Sequence, residues 1–308
     1  MIGVMRARIP KGSNLANSLM EILCMGKEAI YRRLRGEVAF TFEEVSLISQ
    51  HLGISLDKIV GRRMLNDTMF DLNLLHTGDP IESYYEILVR YAKLFDLLRD
   101  DPTASVATAS NLIPFTFYSP YECLSKFRLG RWIYHHGKMK PPASLSDLQV
   151  PDKVPQMHWK LSASIRQLSH TSFIWDYNIF RSIVKEIRYF AGLDLLSAED
   201  VRNMKKELGL LLSELEAVTT TGEFSKGHSL AIYLSDINFE ATYTYVEKGD
   251  FQACLFRVYS INSMDSQNPR MCNIQKNWIQ SLKRHSTLIS QSSEIQRRQF
   301  FNEQREIV

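Results

Sequence analysis

The segment KEAIYRRLRG, residues 27–36, concentrates side chains that can bind an anion. The polar side chains suited to this chemistry are Lys27, Glu28, Tyr31, Arg32, Arg33 and Arg35. Arginine and lysine donate hydrogen bonds to guanine O6 and N7, glutamate accepts one from cytosine N4, and arginine or tyrosine holds phosphate oxygens. These residue types together favour an anionic partner such as nucleic acid.

An α-helix places most of these side chains on one face. At about 100° per residue, Ile30 and Leu34 lie within about 40° of each other. The opposite side then holds Glu28, Tyr31, Arg32 and Arg35, while the margins hold Lys27 and Arg33. One face is therefore expected to dock on neighbouring helices, and the other is expected to meet a large anionic partner.

Two amphipathic helices are predicted on either side of this segment. Apolar residues recur at helical spacing in LANSLMEIL before it and in VSLISQHL after it. Thr41 and Glu44 have the spacing of a capping box, which predicts that the third helix starts near Phe42. Gly53 is expected to end that helix, and residues 55–61, SLDKIVG, are expected to form a short helix capped by Ser55.

Residues 15–61 resemble the lambda-repressor-like helix-turn-helix family, the phage repressor and Cro type. The shared pattern is a Leu-rich second helix, a short turn, a recognition helix ending in Gly, an amphipathic helix and the closing segment LGISLD. The resemblance implies a DNA-binding helical bundle, in which Gly26 opens the recognition helix. It also implies a transcriptional regulator that binds an operator.

The resemblance also implies roles for single residues. Base contacts are implied for Lys27, Glu28 and Arg32, and a phosphate contact for Arg35, which stands where the family usually has Asn. The chain departs from the family at Arg33, where Trp or Leu is usual, and at Leu34, where Glu is usual. The apolar anchor of the helix is therefore shifted by one place.

Positive charge is concentrated at the N-terminus. Residues 1–63 hold ten Lys and Arg against six Asp and Glu, a net charge of +4, and the remainder carries −1. Such asymmetry is typical of a basic module joined to a near-neutral body. The predicted organisation is a helix-turn-helix domain at 1–63, a linker at 64–80 and a larger domain at 81–308.

The larger domain is expected to be mainly helical, with an α+β C-terminal part. Residues 228–262 are rich in Ile, Tyr, Phe, Thr and Val, and predict three antiparallel strands. Helical periodicity predicts helices at 81–98, near 120–136, at 173–191 and at 197–217. The expected fold class is therefore mainly α, with a short antiparallel sheet beside the helix-turn-helix bundle.

Two apolar helical stripes, from Tyr84 to Leu98 and from Leu208 to Leu215, exceed what a three-stranded sheet can cover. They predict a homodimer formed through the C-terminal region, with packing within one subunit as the alternative. Such a dimer would read a two-fold-related DNA site with half-sites about 34 Å apart. The same region is the candidate for sensing a small-molecule effector of unknown identity.

Catalytic motifs are absent from the sequence. It contains no Gly-rich phosphate loop, no HExxH, no GxSxG and no suggestively spaced pair of carboxylates. Adjacent histidines at 135 and 136 point to different faces, so a metal site with Cys123 or His158 is not expected. We therefore expect no enzymatic activity and no cofactor. The aromatic residues 132, 134, 159, 173, 175 and 177 are expected in the core, with pocket lining as the alternative.

The sequence also predicts where the protein acts and which partners it binds. No apolar run is long enough to span a membrane and the first residues do not read as a secretory signal, so a cytoplasmic protein with no membrane partner is expected. The alternative function is an interaction or scaffold protein whose helix-turn-helix module docks on a protein. Salt dependence of binding separates the two.

Overall fold

The computed structural model describes residues 2–9, 14–54, 56, 59, 70–73, 78–136 and 145–308. The chain divides into two compact units, Met1–Met69 and Phe70–Val308. Part of the predicted linker at 64–80, Asp71–Asn73, forms a strand of the second unit. The short helix predicted at 55–61 falls almost entirely outside the described residues.

The helices of the N-terminal unit include α1 (Ile2–Arg8), α2 (Leu15–Leu23), α3 (Lys27–Arg35) and α4 (Phe42–Leu52). Helix α2 begins after Asn14, whose side chain accepts a hydrogen bond from the N–H of Ala16 at 2.8 Å. Helix α4 begins with the predicted capping box. Thr41 Oγ1 accepts from the N–H of Glu44 at 3.2 Å, and Glu44 Oε2 accepts from the N–H of Thr41 at 3.0 Å. The predicted start of α4 is confirmed.

The core of this unit takes residues from each of these helices. The buried apolar side chains are Met5, Ala16, Leu19, Ile30, Ile48 and Ile54. Helix α3 ends at Gly36, which adopts a φ of 79° and donates its N–H to the carbonyl of Arg32. Glycine suits this position because a Cβ disfavours the left-handed conformation.

The second unit interleaves helices and strands. In chain order these are β1 (Asp71–Asn73), α5 (Pro80–Leu98), β2 (Ser105–Ser110), α6 (Phe115–Tyr118), α7 (Glu122–His136), α8 (Lys153–Arg166), β3 (His170–Asp176), α9 (Ile179–Gly192), α10 (Ala198–Thr221), β4 (Glu223–Ser225), β5 (His228–Ser235), β6 (Tyr243–Lys248), β7 (Phe251–Val258), β8 (Asn262–Ser266), α11 (Pro269–Arg284), β9 (Ser286–Leu288) and α12 (Glu294–Ile307).

Among the described residues, nine strands form one mixed sheet. The strand order is β1-β8-β7-β6-β2-β3-β5-β4, and β9 also pairs with β5. Strands β2, β3 and β5 run parallel, with Ser110 opposite Trp175 and Trp175 opposite Leu234. Helices lie in the chain between each consecutive pair of these strands, because parallel neighbours require long crossover connections.

Helices pack on both faces of the sheet. On one face, Ile279 and Leu282 of α11 pack with Ala109, Ile174 and Tyr245. The opposite face carries the main core, to which α5, α7, α8, α9, α10 and α12 contribute. Strand β3 lies between the two layers, so its consecutive residues are buried in alternate cores.

This sheet corrects the predicted fold class. The sequence predicts a mainly α chain with a short antiparallel sheet, but the second unit is built on a nine-stranded mixed sheet. Strand β5, the first strand predicted within 228–262, pairs in parallel with β3. Strand β3 overlaps the helix predicted at 173–191, which actually starts at Ile179. A strand buried on both faces lacks the polar and apolar alternation by which strands are recognised.

Both apolar stripes predicted to form a dimer seam belong to the core of the second unit. Tyr84, Leu88 and Leu98 of α5 are at most 2% exposed, and Leu208 and Leu215 of α10 are 1% exposed. The large sheet and its helices cover these side chains within one chain. The sequence argument for a homodimer is thereby removed.

Candidate nucleic-acid interface

Helices α2 and α3 are joined by a short turn from Cys24 to Gly26. Cys24 adopts the left-handed conformation, with φ of 50° and ψ of 40°, and its N–H donates to the carbonyl of Met20. The N–H of Met25 donates to the same carbonyl at 3.2 Å. These bonds end α2, and the chain enters α3 after Gly26. The helix, turn and helix follow one another as the sequence predicts.

Helix α3 has one buried side and one exposed side. Ile30 is fully buried in the core of the unit, and Leu34 packs against that core. The exposed residues of α3 are Lys27, Glu28, Arg32 and Arg35, and Tyr31 is partly exposed. Lys27 Nζ lies 5.9 Å from the centroid of the Tyr31 ring. The exposed side thus presents three cations and one carboxylate.

Arg33 differs from the other predicted site residues because it is bonded within the unit. Its Nε donates to Glu44 Oε2 at 2.9 Å, and its Nη2 donates to Glu44 Oε1 at 2.7 Å. Nη1 also donates to the carbonyl of Ala29 at 3.3 Å. The hydrogen bond from Arg33 lowers the pKa of the Glu44 carboxyl, although burial opposes the shift. Arg33 therefore links α3 to α4 and holds α3 in place.

Glu37 partly neutralises the exposed face of α3. Its Oε1 accepts a hydrogen bond from Arg35 Nε at 2.6 Å, and its Oε2 lies 3.5 Å from Arg32 Nε. The hydrogen bond from Arg35 lowers the pKa of Glu37. Glu28 Oε1 lies 3.4 Å from Arg35 Nη2. A phosphate that approaches Arg35 must therefore compete with two carboxylates.

Sequence reasoning missed the contacts of Glu37 and Glu44 with the arginines of α3. The capping-box spacing predicts only the bond between Glu44 and Thr41. Glu44 also binds Arg33, which lies 11 residues away in the sequence. Glu37 lies two residues after Arg35, and this proximity is a signal that could have identified it. Glu44 holds Arg33 against α4, whereas Glu37 pairs with Arg32 and Arg35 on the exposed side of α3.

The other chemical candidates belong to the Phe70–Val308 unit. The described part of the chain contains no group of three or more His, Cys, Asp and Glu side chains placed to hold a metal ion. His158 is buried and bonded to the hydroxyl of Tyr84, whereas His135 is exposed. Phe173 and Trp175 are core residues, and Trp159 is 62% exposed.

None of the helices in the described ranges is both long enough and apolar enough to span a membrane.

No protein-family model matches the chain, and no match was found among curated proteins or among solved structures.

Proposed function

We propose that the protein is a DNA-binding transcriptional regulator whose N-terminal unit binds double-stranded DNA through α3. The observation that carries this proposal is the exposure of Lys27, Arg32 and Arg35 on a helix that follows α2 after a short turn. An α-helix fits the major groove of B-DNA, where arginine and lysine can donate to guanine. Selection of genomic fragments by the purified protein tests DNA binding and identifies the site together.

Each exposed residue takes a role that its position allows. Lys27, Glu28 and Arg32 are proposed to contact base edges, whereas Tyr31 and Arg35 are proposed to hold phosphates. Arg33 is not proposed as a DNA contact because Glu44 occupies its guanidinium group. Arg33 instead fixes the position of α3.

The proposal uses two copies of the chain on a two-fold-related site. One module of this size buries little surface on DNA, so regulators of this type gain affinity by linking two copies. The second unit is proposed to respond to a small-molecule effector, and the protein to act in the cytoplasm. Sedimentation with a duplex carrying one complete site measures the number of bound copies, and a single copy would contradict the dimer.

Arg32 and Arg35 are expected to differ in their effects on DNA binding. Arg32→Ala should weaken binding to the preferred site about 5- to 150-fold and relax preference at one base pair. Arg35→Ala should weaken binding to every duplex alike and reduce the salt slope by about one for each bound copy. Fluorescence anisotropy with selected and random duplexes measures both effects. Arg8→Ala, which removes an exposed charge from α1, is the control. Identical behaviour of the two α3 variants would refute the assigned roles.

Glu37→Gln is expected to tighten binding to all duplexes about two- to fivefold, because it releases Arg32 and Arg35 from a competing carboxylate. Glu43→Gln is the matched control, since it makes the same charge change at an exposed residue of α4. Both variants are titrated against one duplex at fixed salt. Equal affinity gains would show that net charge, and not the contact of Glu37 with the arginines, sets the effect.

Docking on a protein remains the alternative function because Phe42, the first residue of α4, is 80% exposed. An exposed aromatic ring suits the apolar centre of a protein interface. Phe42→Ala should leave DNA affinity within about twofold under the DNA-binding proposal. A protein that binds no duplex at low salt would favour the docking alternative.

A further inference from the structure

Three arginines and one glutamate of the second unit line the same cavity. Arg128 and Arg131 of α7 and Arg257 of β7 all line a cavity of about 170 Å³. Glu186 of α9 forms an ion pair with Arg131. Within the described ranges, neither Arg128 nor Arg257 has an acidic partner. The cluster therefore carries an excess of positive charge in the protein interior.

Arg128 is the most deeply buried member of the cluster, with 7% exposure. Its Nη1 donates to the hydroxyl of Tyr118 at 3.3 Å, and its Cζ lies 4.3 Å from the centroid of the Phe115 ring. Its Nε has no hydrogen-bond partner in the described structure. A tyrosine hydroxyl and an aromatic ring are weaker partners for a buried cation than a carboxylate is, and a buried cation is costly to keep without a counterion.

Arg257 also lacks an acidic partner among the described residues. Its side chain makes no hydrogen bond or ion pair with the residues that the structure describes. Burial, and then the charge of Arg128, lower the pKa of Arg257. Ser260, three residues further along the chain, lines the same cavity with a buried hydroxyl that has no partner there. Arg128, Arg257 and Ser260 thus line one cavity, and each has polar groups without a partner among the described residues.

A second cavity, of about 90 Å³, is also lined by Arg128 and Arg257. Its apolar wall includes Ile87, Leu88 and Phe95 of α5. The sheet contributes a row of hydroxyls, including Thr108 and Thr244, whose oxygens are 3.1 Å apart. The volume is several times what one water molecule requires. The two arginines therefore stand between a cationic cavity and a mainly apolar one.

We infer that these cavities bind a small organic carboxylate, with its carboxylate group on Arg128 and Arg257 and its apolar portion against α5. Guanidinium groups suit a carboxylate because they donate parallel, charge-assisted hydrogen bonds. A mainly apolar pocket with a few convergent polar groups is typical of small-molecule sites. All of these residues belong to the Phe70–Val308 unit. The ligand site thus shares no residue with the proposed DNA contacts.

Isothermal titration of the full-length protein with hexanoate and benzoate tests this assignment. At least one of the two should bind saturably with a Kd below about 1 mM. The matching neutral amides, hexanamide and benzamide, should bind at least about tenfold more weakly because they lack the charge that the arginines recognise. Inorganic phosphate is titrated as a third probe. Binding of phosphate alone, or of none of these probes, would overturn the carboxylate assignment.

Arg128→Met and Arg257→Met should each weaken binding of the carboxylate at least about tenfold, while Arg188→Met, at an exposed position of α9, should not. Without ligand, the Tm of both cluster variants should stay unchanged or rise by a few degrees, because each loses an uncompensated charge. Unchanged affinity in both variants would overturn the site. A steep fall in Tm of both variants would also overturn it, since it would assign the arginines to structure instead of binding.

Discussion

Raising the salt concentration from about 50 mM to about 200 mM is expected to weaken binding of this protein to duplex DNA about a thousandfold. Lys27, Arg32 and Arg35 are the exposed cations of α3. If two copies together neutralise about six phosphates, the counterions released give a slope of log affinity against log salt near −5. The large effect follows because the slope acts as an exponent on the salt ratio.

Anisotropy of a labelled duplex, titrated at four or five salt concentrations, measures this slope. The Arg35→Ala variant is the internal control, since it should shift the slope toward zero without abolishing the salt dependence. Glu37→Gln tests the same electrostatics in the opposite direction, because its carboxylate competes with phosphate for Arg35. A slope near zero for the parent protein would refute electrostatic DNA binding and favour docking on a protein.

The second large effect is the loss of stability of the Phe70–Val308 unit in acid through His158. This side chain is 4% exposed, and its Nε2 lies 3.1 Å from the hydroxyl of Tyr84. Burial, and then the charge of Arg128, lower the pKa of His158 from 6.5 to about 4. Between these two pH values the unfolded chain binds a proton that the folded chain does not. The neutral His158 therefore contributes its full share to the free energy of unfolding above pH 6.5. That share is lost as the pH falls toward 4.

His158→Gln is expected to remove about 2 kcal/mol of the stability difference between pH 7 and pH 4.5. Glutamine retains a hydrogen-bonding group for Tyr84 but does not titrate. Urea unfolding followed by tryptophan fluorescence reports on this unit selectively, because all four tryptophans lie after residue 70. Other groups also titrate in this range, so the comparison is between parent and variant.

His135→Gln is the matched control for this measurement, since it removes an exposed ring from the same unit. It should leave the difference between the two pH values as it is in the parent. If parent and His158→Gln lose equal stability on acidification, His158 is not the residue responsible.

The sequence by itself determined the local features of this protein. The capping box of Thr41 and Glu44 was predicted and is confirmed. The end of α3 at Gly36 and the span of α5 were predicted to within a residue. Each of these signals involves residues within about four positions of one another, where side-chain type and helical geometry alone are sufficient.

The tertiary structure alone decided which arginine of α3 is bonded to the neighbouring helix and which is exposed. Arg32 and Arg33 are neighbours in a cationic run, yet Arg33 is bonded to Glu44, 11 residues away, while Arg32 is exposed. The helical wheel places Arg33 at the margin between the apolar and polar sides of α3, so it does not predict whether this side chain faces solvent. Packing of α4 beside α3 makes that choice, because it brings a carboxylate to Arg33.

The tertiary structure also decided the sheet and the interior arginines. Strands β2, β3 and β5 pair across more than fifty residues, and β3 is buried on both faces, so its sequence shows no alternation. Arg128 and Arg257 line the same cavities although they lie on α7 and β7, far apart in the chain. Local periodicity reports on neighbours along the chain, whereas strand pairing and enclosed cavities arise from contacts between distant segments.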